Sequence, residues 1–299
     1  MNKVNSHNLT GIINIGNTCY MNASLQLLIQ CNILTKCILN NKFRHHLLDT
    51  YKSFLYDYFN NKSSPIKLKQ IINNKFKKFN NSGQHDSHEF ILDLLNYFDE
   101  AIIEESNYLG KVMNCTNIVA HNIQLNKFIS SLFDVRITSS IKCSGCNSVS
   151  HSTVGEKILS IEINGLHTYE ECLKHFFDKE IIDDYYCSIC YENTKAIKKI
   201  SITCLPKYLI IHLKRFNNEL QKLSNEIIIP ECIIIKNYTY MLRSFIYNSG
   251  GLDGGHYINF TKSENVWYCI NDNGISIANI NDYLPYGYIY LFVLKINRD

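Results

Sequence analysis

No purely apolar stretch of this chain approaches the length of a membrane span: the runs at 227–229, 233–235 and 291–294 are short, against the roughly 20 residues needed to cross a bilayer. Neither charge is in excess, since 30 Lys and Arg face 27 Asp and Glu for a net charge of +3, and long runs of like charge are missing. Nothing here predicts a strong field for nucleic acid or a membrane partner. The opening Met1-Asn-Lys-Val-Asn-Ser-His7 has no apolar core of a signal peptide, so a reducing cytosol or nucleus is the expected location. Proline is scarce, at four residues. The abundance of Asn, Ile and Lys fits an AT-rich coding genome and carries no mechanistic meaning. Internal repeats and low-complexity linkers are absent too, and 299 residues are enough to bury a substantial core, as one large domain or two smaller ones.

Cysteine, by contrast, is plentiful. Four of the twelve form two C-x2-C pairs, Cys143 with Cys146 and Cys187 with Cys190, and the others are scattered. In a reducing compartment such pairs read as metal ligands and the single cysteines as small buried hydrophobes. Four thiolates suit one tetrahedral Zn2+. The 40 residues between Cys146 and Cys187 exceed the loop of a short zinc ribbon, which implies an insertion between the pairs. Neither pair lies in a βαβ setting, which argues against a redox role. No His-Glu-x-x-His set accompanies them, so the zinc is expected to be structural and no catalytic cofactor is expected.

The pattern divides along the chain. From about residue 19 to 105 apolar residues recur at helical spacing, first at Ala23, Leu27 and Leu28 behind a cap at Asn17 or Thr18. Phe54, Leu55, Tyr58 and Phe59 predict a second helix, ended before Pro65, and Leu68, Ile71, Ile72, Phe76 and Phe79 a third. Asp86 and Glu89 are spaced as a capping box before the stripe Phe90, Ile91, Leu94, Leu95, Phe98 and Ile102. From about residue 120 the pattern becomes β-rich, with a short helix expected over 167–178 and strands over 208–216, 226–236, 241–247, 256–261, 266–270 and 286–296. Residues 262–265 are short enough for a hairpin loop. Helices first and antiparallel strands later is an α+β order.

Cys19 stands where the first helix begins, and the positive end of a helix dipole favours thiolate, the reactive form. Attack on a carbonyl would develop an oxyanion, for which nearby backbone N–H groups and the Asn14 amide are candidate donors. Taken alone, Cys19 is one cysteine among twelve. Its neighbours Gly16, Asn14 and Asn17 raise its standing. His256 follows Gly254 and Gly255, which leave room for close approach, and precedes a strand. Across the hairpin, Asn271 or Asp272 offers that imidazole an orienting partner, although Asn271-Asp-Asn-Gly274 also reads as a turn.

The segment Gly11-Ile-Ile-Asn-Ile-Gly-Asn-Thr-Cys-Tyr-Met-Asn22 closely resembles the cysteine box of the ubiquitin-specific proteases, the papain-like deubiquitinases. Their later landmarks recur in order: Gln84-His-Asp-Ser-His-Glu-Phe90, the two Cys pairs, Leu209-Ile-Ile-His-Leu-Lys-Arg-Phe216, Gly254-Gly-His-Tyr257 and Trp267-Tyr-Cys-Ile-Asn-Asp272. The resemblance implies one catalytic domain over 1–299. It would have a helical thumb (about 10–120), β-rich fingers tipped by zinc (about 130–205) and an antiparallel-sheet palm (about 206–299). It further implies Cys19 as nucleophile, His256 as base, Asn271 as third member with Asp272 able to share the role, and Asn14 as oxyanion donor. Asp86, Gln84, Gly254, Gly255 and Tyr257 would bind the ubiquitin tail, with Asp86 holding its basic part by charge-assisted hydrogen bonds or only capping its helix. Ubiquitin and ubiquitinated proteins are the implied partners of a monomer. A protease for a ubiquitin-like modifier and a non-catalytic ubiquitin-binding scaffold are the alternatives. His85 and Ser87 replace a glutamine and an alanine usual in the family, and Ile12 and Ile15 stand where leucines are common. With no substantial flanking extension, a bare catalytic domain is expected.

Overall fold

The computed structural model describes residues 9–113, 127–217, 219, 221–251 and 255–295. Five helices come first: α1 (Cys19–Ile29), α2 (Asn32–Asn40), α3 (His46–Phe59), α4 (Ile66–Lys75) and α5 (Ser87–Met113). A short α6 (Phe128–Phe133) leads into β1 (Val135–Cys143), β2 (Val149–Glu156) and β3 (Leu159–Glu162). After α7 (Tyr169–Phe176) come β4 (Glu180–Cys187), β5 (Glu192–Cys204), β6 (Tyr208–Lys214) and β7 (Cys232–Ile235). The chain closes with β8 (Tyr238–Asn248), β9 (Tyr257–Ser263), β10 (Val266–Asn271), β11 (Gly274–Ile277) and β12 (Gly287–Leu294).

Two sheets result. The fingers sheet has the order β2-β1-β5-β4 and is antiparallel throughout. The palm sheet runs β11-β10-β9-β8-β12-β6-β3, with β7 paired to β8. Its β3–β6 pairing is parallel, so the antiparallel palm ends in one parallel edge strand. β3 also falls within the range expected for the fingers, yet it belongs to the palm sheet.

The palm is buried on both faces, which explains why β6 and β12 carry almost unbroken apolar sequence. Along β6, Tyr208 and Ile210 pack with the helices while Leu209, Ile211 and Leu213 join the opposite core. β12 divides likewise, with Ile289 and Leu291 on the helical side and Tyr290 and Phe292 on the other. Helix α1 threads this helical core with all eleven residues buried. Its polar residues are therefore paired inward: Ser24 Oγ donates to the Tyr20 carbonyl, and Gln26 donates to the Thr10 carbonyl while accepting from Tyr58 Oη.

Several expectations need correction. Cys31 separates α1 from an unexpected α2 without any glycine or proline to announce the break. Phe76 and Phe79 lie beyond α4, the latter in a 3-10 turn at Lys77–Phe79. Of the run expected over 226–236, only Cys232–Ile235 forms a strand; Ile227 and Ile228 bond instead to the Pro285 and His167 carbonyls. The last strand stops at Leu294, and residue 296 lies outside the described residues. The 262–265 hairpin is tighter than a four-residue loop, because Glu264 (φ 48°) and Asn265 (φ 65°) form the positive-φ pair that matches strand twist.

Candidate active site

Cys19 is the first residue of α1 and only 3% exposed. Contrary to expectation, neither Asn17 nor Thr18 caps this helix. Thr18 Oγ1 accepts from Ile15 N and bonds to Asn14 Oδ1, while Asn17 (φ 49°) donates to the Ser82 carbonyl. No Asn17 or Thr18 side chain thus caps α1, and the Cys19 and Tyr20 N–H groups face the thiol itself, which leaves the helix start available to an anion formed there. Burial raises the Cys19 pKa, opposed by the Tyr257 backbone N–H and reinforced by the Asp272 charge. The thiol is neutral here and lies 4.0 Å from the Gly255 carbonyl, with no hydrogen bond to the His256 ring.

The β9–β10 hairpin brings His256 to its partner. Ile270 stands opposite Asn259 in the register, so Asn271 lies on a diagonal from His256, on the same face of the pair. His256 Nε2 meets Asn271 Oδ1 at 2.6 Å. An amide oxygen accepts only, which places the proton on Nε2 and leaves Nδ1 as the basic nitrogen.

Asp272 does not share that role, and here the expectation fails. With φ at 50° the chain reverses after Asn271, and the Asp272 carboxylate turns to the cysteine loop. It accepts from Asn14 Nδ2 at 2.9 Å and Asn22 Nδ2 at 2.8 Å, while its backbone carbonyl accepts from Ile12 N at 2.8 Å. Gly11 permits this approach, since a Cβ there would lie 2.3 Å from the Asn273 carbonyl oxygen. Asn14 is consequently braced at both ends, with Oδ1 accepting from Gly16 N and Thr18 N.

Beside Cys19 a cleft of about 140 Å³ is lined by Gln84, Asp86, Phe216, Asn248, Gly255 and Tyr257, among others. Gln84 Oε1 accepts from Gly255 N at 2.5 Å. Gly255 has no room for a side chain, since its Cβ would meet Gly250 Cα at 2.7 Å. Gly254 lies outside the described residues. Asp86 caps α5 through His88 N (2.6 Å) and Glu89 N (3.3 Å), and its other oxygen accepts from Tyr288 Oη. The reciprocal half of the capping box is missing, because Glu89 pairs with Lys78 instead. A larger cleft, about 390 Å³, opens where the fingers meet the palm, between Ile137, Val154, Leu159 and Ile200, and touches none of the residues around Cys19.

Behind Asp86 lies a pair of imidazoles that the sequence did not announce. His88 and His212 stack with ring centroids 4.0 Å apart, bridged at one edge by Ser160 Oγ, and Tyr288 packs edge-on against His212. Burial lowers both pKa values, His212 far below its ordinary value, with His88 and Lys214 adding to the effect there. Both rings are neutral in the fold, whereas the unfolded chain protonates them below about pH 6.5. Unfolding then takes up protons, so this contribution to stability is intact above about pH 6.5 and declines as pH falls towards the folded pKa values. The slope approaches about 1.4 kcal/mol per pH unit for each ring that stays neutral. Urea midpoints measured from pH 7.5 to 5.5 should fall steeply below 6.5 in the wild type and about half as steeply, for this component, in His88→Gln. A flat wild-type profile would refute the neutral pair.

At the far end of the fingers, Cys143, Cys146, Cys187 and Cys190 bring their sulfur atoms within 4.8 Å of one another. Each pair turns at the end of a strand, β1 or β4, and each turn closes on a positive-φ residue, Asn147 (φ 61°) and Tyr191 (φ 57°). Sulfur separations of 3.9 Å (Cys143–Cys190) and 3.7 Å (Cys146–Cys187) match tetrahedral sites with bonds of about 2.3 Å. The four cysteines are close enough to hold one zinc ion. The Thr194 hydroxyl, followed by backbone N–H groups, brings the Cys143 thiol down to about 6.

A buried thiol at an open helix start, with an asparagine-oriented imidazole on the neighbouring hairpin, is the arrangement of a thiol hydrolase. Comparison with known proteins makes this specific. The family model for ubiquitin carboxyl-terminal hydrolase matches residues 10–292, and the chain belongs to that family. It is 28% identical over 323 residues to Ubiquitin carboxyl-terminal hydrolase 25 of Arabidopsis thaliana, covering 96% of this chain and 47% of that protein. Ubiquitin carboxyl-terminal hydrolase Usp2 of Drosophila melanogaster is 26% identical over 326 residues, 96% of this chain and 34% of the relative. The chain thus spans half or less of the length of these relatives. Among solved structures, the SAGA DUB module Ubp8/Sgf11/Sus1/Sgf73 bound to monoubiquitin contains a chain that superposes with a TM-score of 0.77. The identity is 26%, over 99% of this chain and 71% of that one. A yeast SAGA DUB module gives a TM-score of 0.74 at 25% identity, over 98% and 70% of the two chains.

Proposed function

We propose that this protein is a thiol-dependent deubiquitinase that hydrolyses the peptide or isopeptide bond after the C-terminal Gly-Gly of ubiquitin. The observation that carries the proposal is the His256–Asn271 pair at 2.6 Å, set beside a buried cysteine at an uncapped helix start in a chain of this family. Since the Cys19 thiol is neutral in the free protein, reaction begins with movement of its proton to His256 Nδ1 as substrate fills the cleft. The sulfur attacks the carbonyl of the terminal glycine. The resulting oxyanion meets N–H groups of the α1 start and the second proton of Asn14 Nδ2, whose first is held by Asp272. His256 then protonates the departing amine, and water attacks the acyl-enzyme to release ubiquitin. A substrate ending in glycine suits a cleft lined by the Gly255 backbone, which has no room for a side chain, and by Gln84, which bonds to it.

Asp86, braced by Tyr288 and by α5, offers the carboxylate for a basic segment of the tail. The four fingers cysteines would hold one structural Zn2+, tying the two hairpin turns together, in a protein of the reducing cytosol or nucleus. A ubiquitin probe carrying a C-terminal electrophile should label the wild type and fail to label Cys19→Ala. Labelling that persists in Cys19→Ala, or a reduced wild type that neither labels nor hydrolyses ubiquitin substrates, would overturn the proposal.

A further inference from the structure

The walls of the cleft include Asn248 and Gly251, at either end of the glycine-containing segment Ser249-Gly-Gly251 that follows β8, where Gly250 N donates to Asn248 Oδ1 at 2.8 Å. Glycine pairs leave a backbone free unless something outside holds it. Here Lys222 does. Its ammonium donates to the Asn248 carbonyl at 3.0 Å and to the Gly250 carbonyl. Among the described residues no carboxylate forms a salt bridge with it, unlike Lys262 with Glu231 or Lys198 with Glu180. Burial, with a smaller effect of Arg215, lowers its pKa, as befits an ammonium enclosed by neutral carbonyls. Lys222 is itself fixed from below: Leu223 N donates to the Arg215 carbonyl, and the buried Arg215 side chain donates to the carbonyls of Asn225, Pro285 and Gly287.

From the tethered loop, contacts lead directly to the reacting groups. Ser249 N donates to the His256 carbonyl at 3.1 Å. Gly250 Cα abuts Gly255, whose N–H is held by Gln84 and whose carbonyl faces Cys19 Sγ at 4.0 Å. Resting on the deubiquitinase reading above, we propose that Lys222 is a positioning residue. Its charge-assisted bonds to two loop carbonyls set the backbone of Gly255 and His256 against Cys19 and hold the cleft open to a glycine tail.

Three variants and two readouts test this. Lys222→Met removes every donor, Lys222→Gln keeps one amide group, and Lys222→Arg restores a cation with several. Amide hydrogen exchange at Ser249 and Gly255 should speed up about tenfold or more in Lys222→Met, with α1 amides unchanged. On a fluorogenic ubiquitin C-terminal substrate, kcat/KM should fall about tenfold or more. Lys222→Gln should be intermediate in both and serves as the test if the methionine variant fails to fold. Lys222→Arg should recover both to within about threefold of wild type. Wild-type exchange at Ser249 and Gly255 in Lys222→Met and Lys222→Gln would overturn the tether whatever the activity, and so would equal loss in the methionine and arginine variants. A wild type inactive on ubiquitin would overturn the deubiquitinase reading alone, since exchange still decides the tether.

Discussion

Replacing His256 with alanine is expected to lower kcat/KM on a ubiquitin C-terminal substrate by about 1,000-fold or more, with little change in KM. General acid–base groups contribute about 100- to 10,000-fold, and here the upper part of that range applies. The Cys19 thiol is buried and its pKa raised, and the negative Asp272 opposes its ionisation further. Without His256 Nδ1 to take the proton, little thiolate forms near neutral pH. Asn271→Ala should cost about 100-fold, because the ring remains but loses the acceptor that fixes its tautomer.

Asp272→Asn should behave differently. Both Asp272 oxygens accept from asparagine amides, so an asparagine there would turn its own NH2 towards Asn14 or Asn22, donor against donor. The loss, about tenfold or more, should then appear in kcat. Steady-state kinetics on the three single variants and on the His256→Ala/Asp272→Asn double variant separates the two roles, since residues acting through one group are non-additive. If Asp272→Asn cost nothing further once His256 is alanine, the assignment of Asp272 to the cysteine loop would be wrong.

That distinction was not legible in the sequence, where Asn271 and Asp272 are neighbours and each can orient an imidazole. It is decided by one left-handed residue, and φ is a property of the folded turn. Much else was legible because the signal is local. The two C-x2-C turns and the α5 cap announce themselves within a few residues, and α5 keeps a one-sided stripe that its burial respects. Helix α1 is harder, since every face is buried and its Ser24 and Gln26 read as surface residues. Only the motif around Cys19 singles it out. The isoleucines at 227, 229, 233 and 235 alternate as a strand does and are buried, yet only the second pair finds a neighbouring strand. Period two reports which side chains face inward and is silent on which backbone groups are paired. Tyr288, His212 and Lys222 act on the site through partners 26 or more positions distant, so no window of sequence contains the relation.

Breaking the four-cysteine site should weaken ubiquitin hydrolysis while leaving the thiol chemistry in place. The fingers sheet has little core of its own: β2 is exposed along its whole length and β4 is buried only at Cys187. Its end is closed by the four sulfur atoms, and structural zinc sites of this type contribute on the order of 10 kcal/mol to folding in small domains. Reduced, freshly purified protein should contain about one Zn2+ per chain. In Cys143→Ser the content should fall towards zero, because three thiolates and a poor hydroxyl ligand replace a closed tetrahedron. Proteolysis should then cut within 143–204, since backbone protection there depends on strands anchored only at the palm. Helices α1 and α5 pack with one face of the palm in a core that contains no residue of the four fingers strands, so alkylation of Cys19 by iodoacetamide should proceed within about twofold of the wild-type rate. Hydrolysis of a ubiquitin substrate should nevertheless drop about tenfold or more through KM, if the fingers supply binding surface for the body of the substrate. A reduced wild type that holds no zinc, or a zinc-free Cys143→Ser that still resists proteolysis, would mean that strand packing alone holds the fingers. Equal loss of alkylation and hydrolysis would mean that the metal site supports the whole domain, because a merely local role at the fingertip leaves the α1 start untouched.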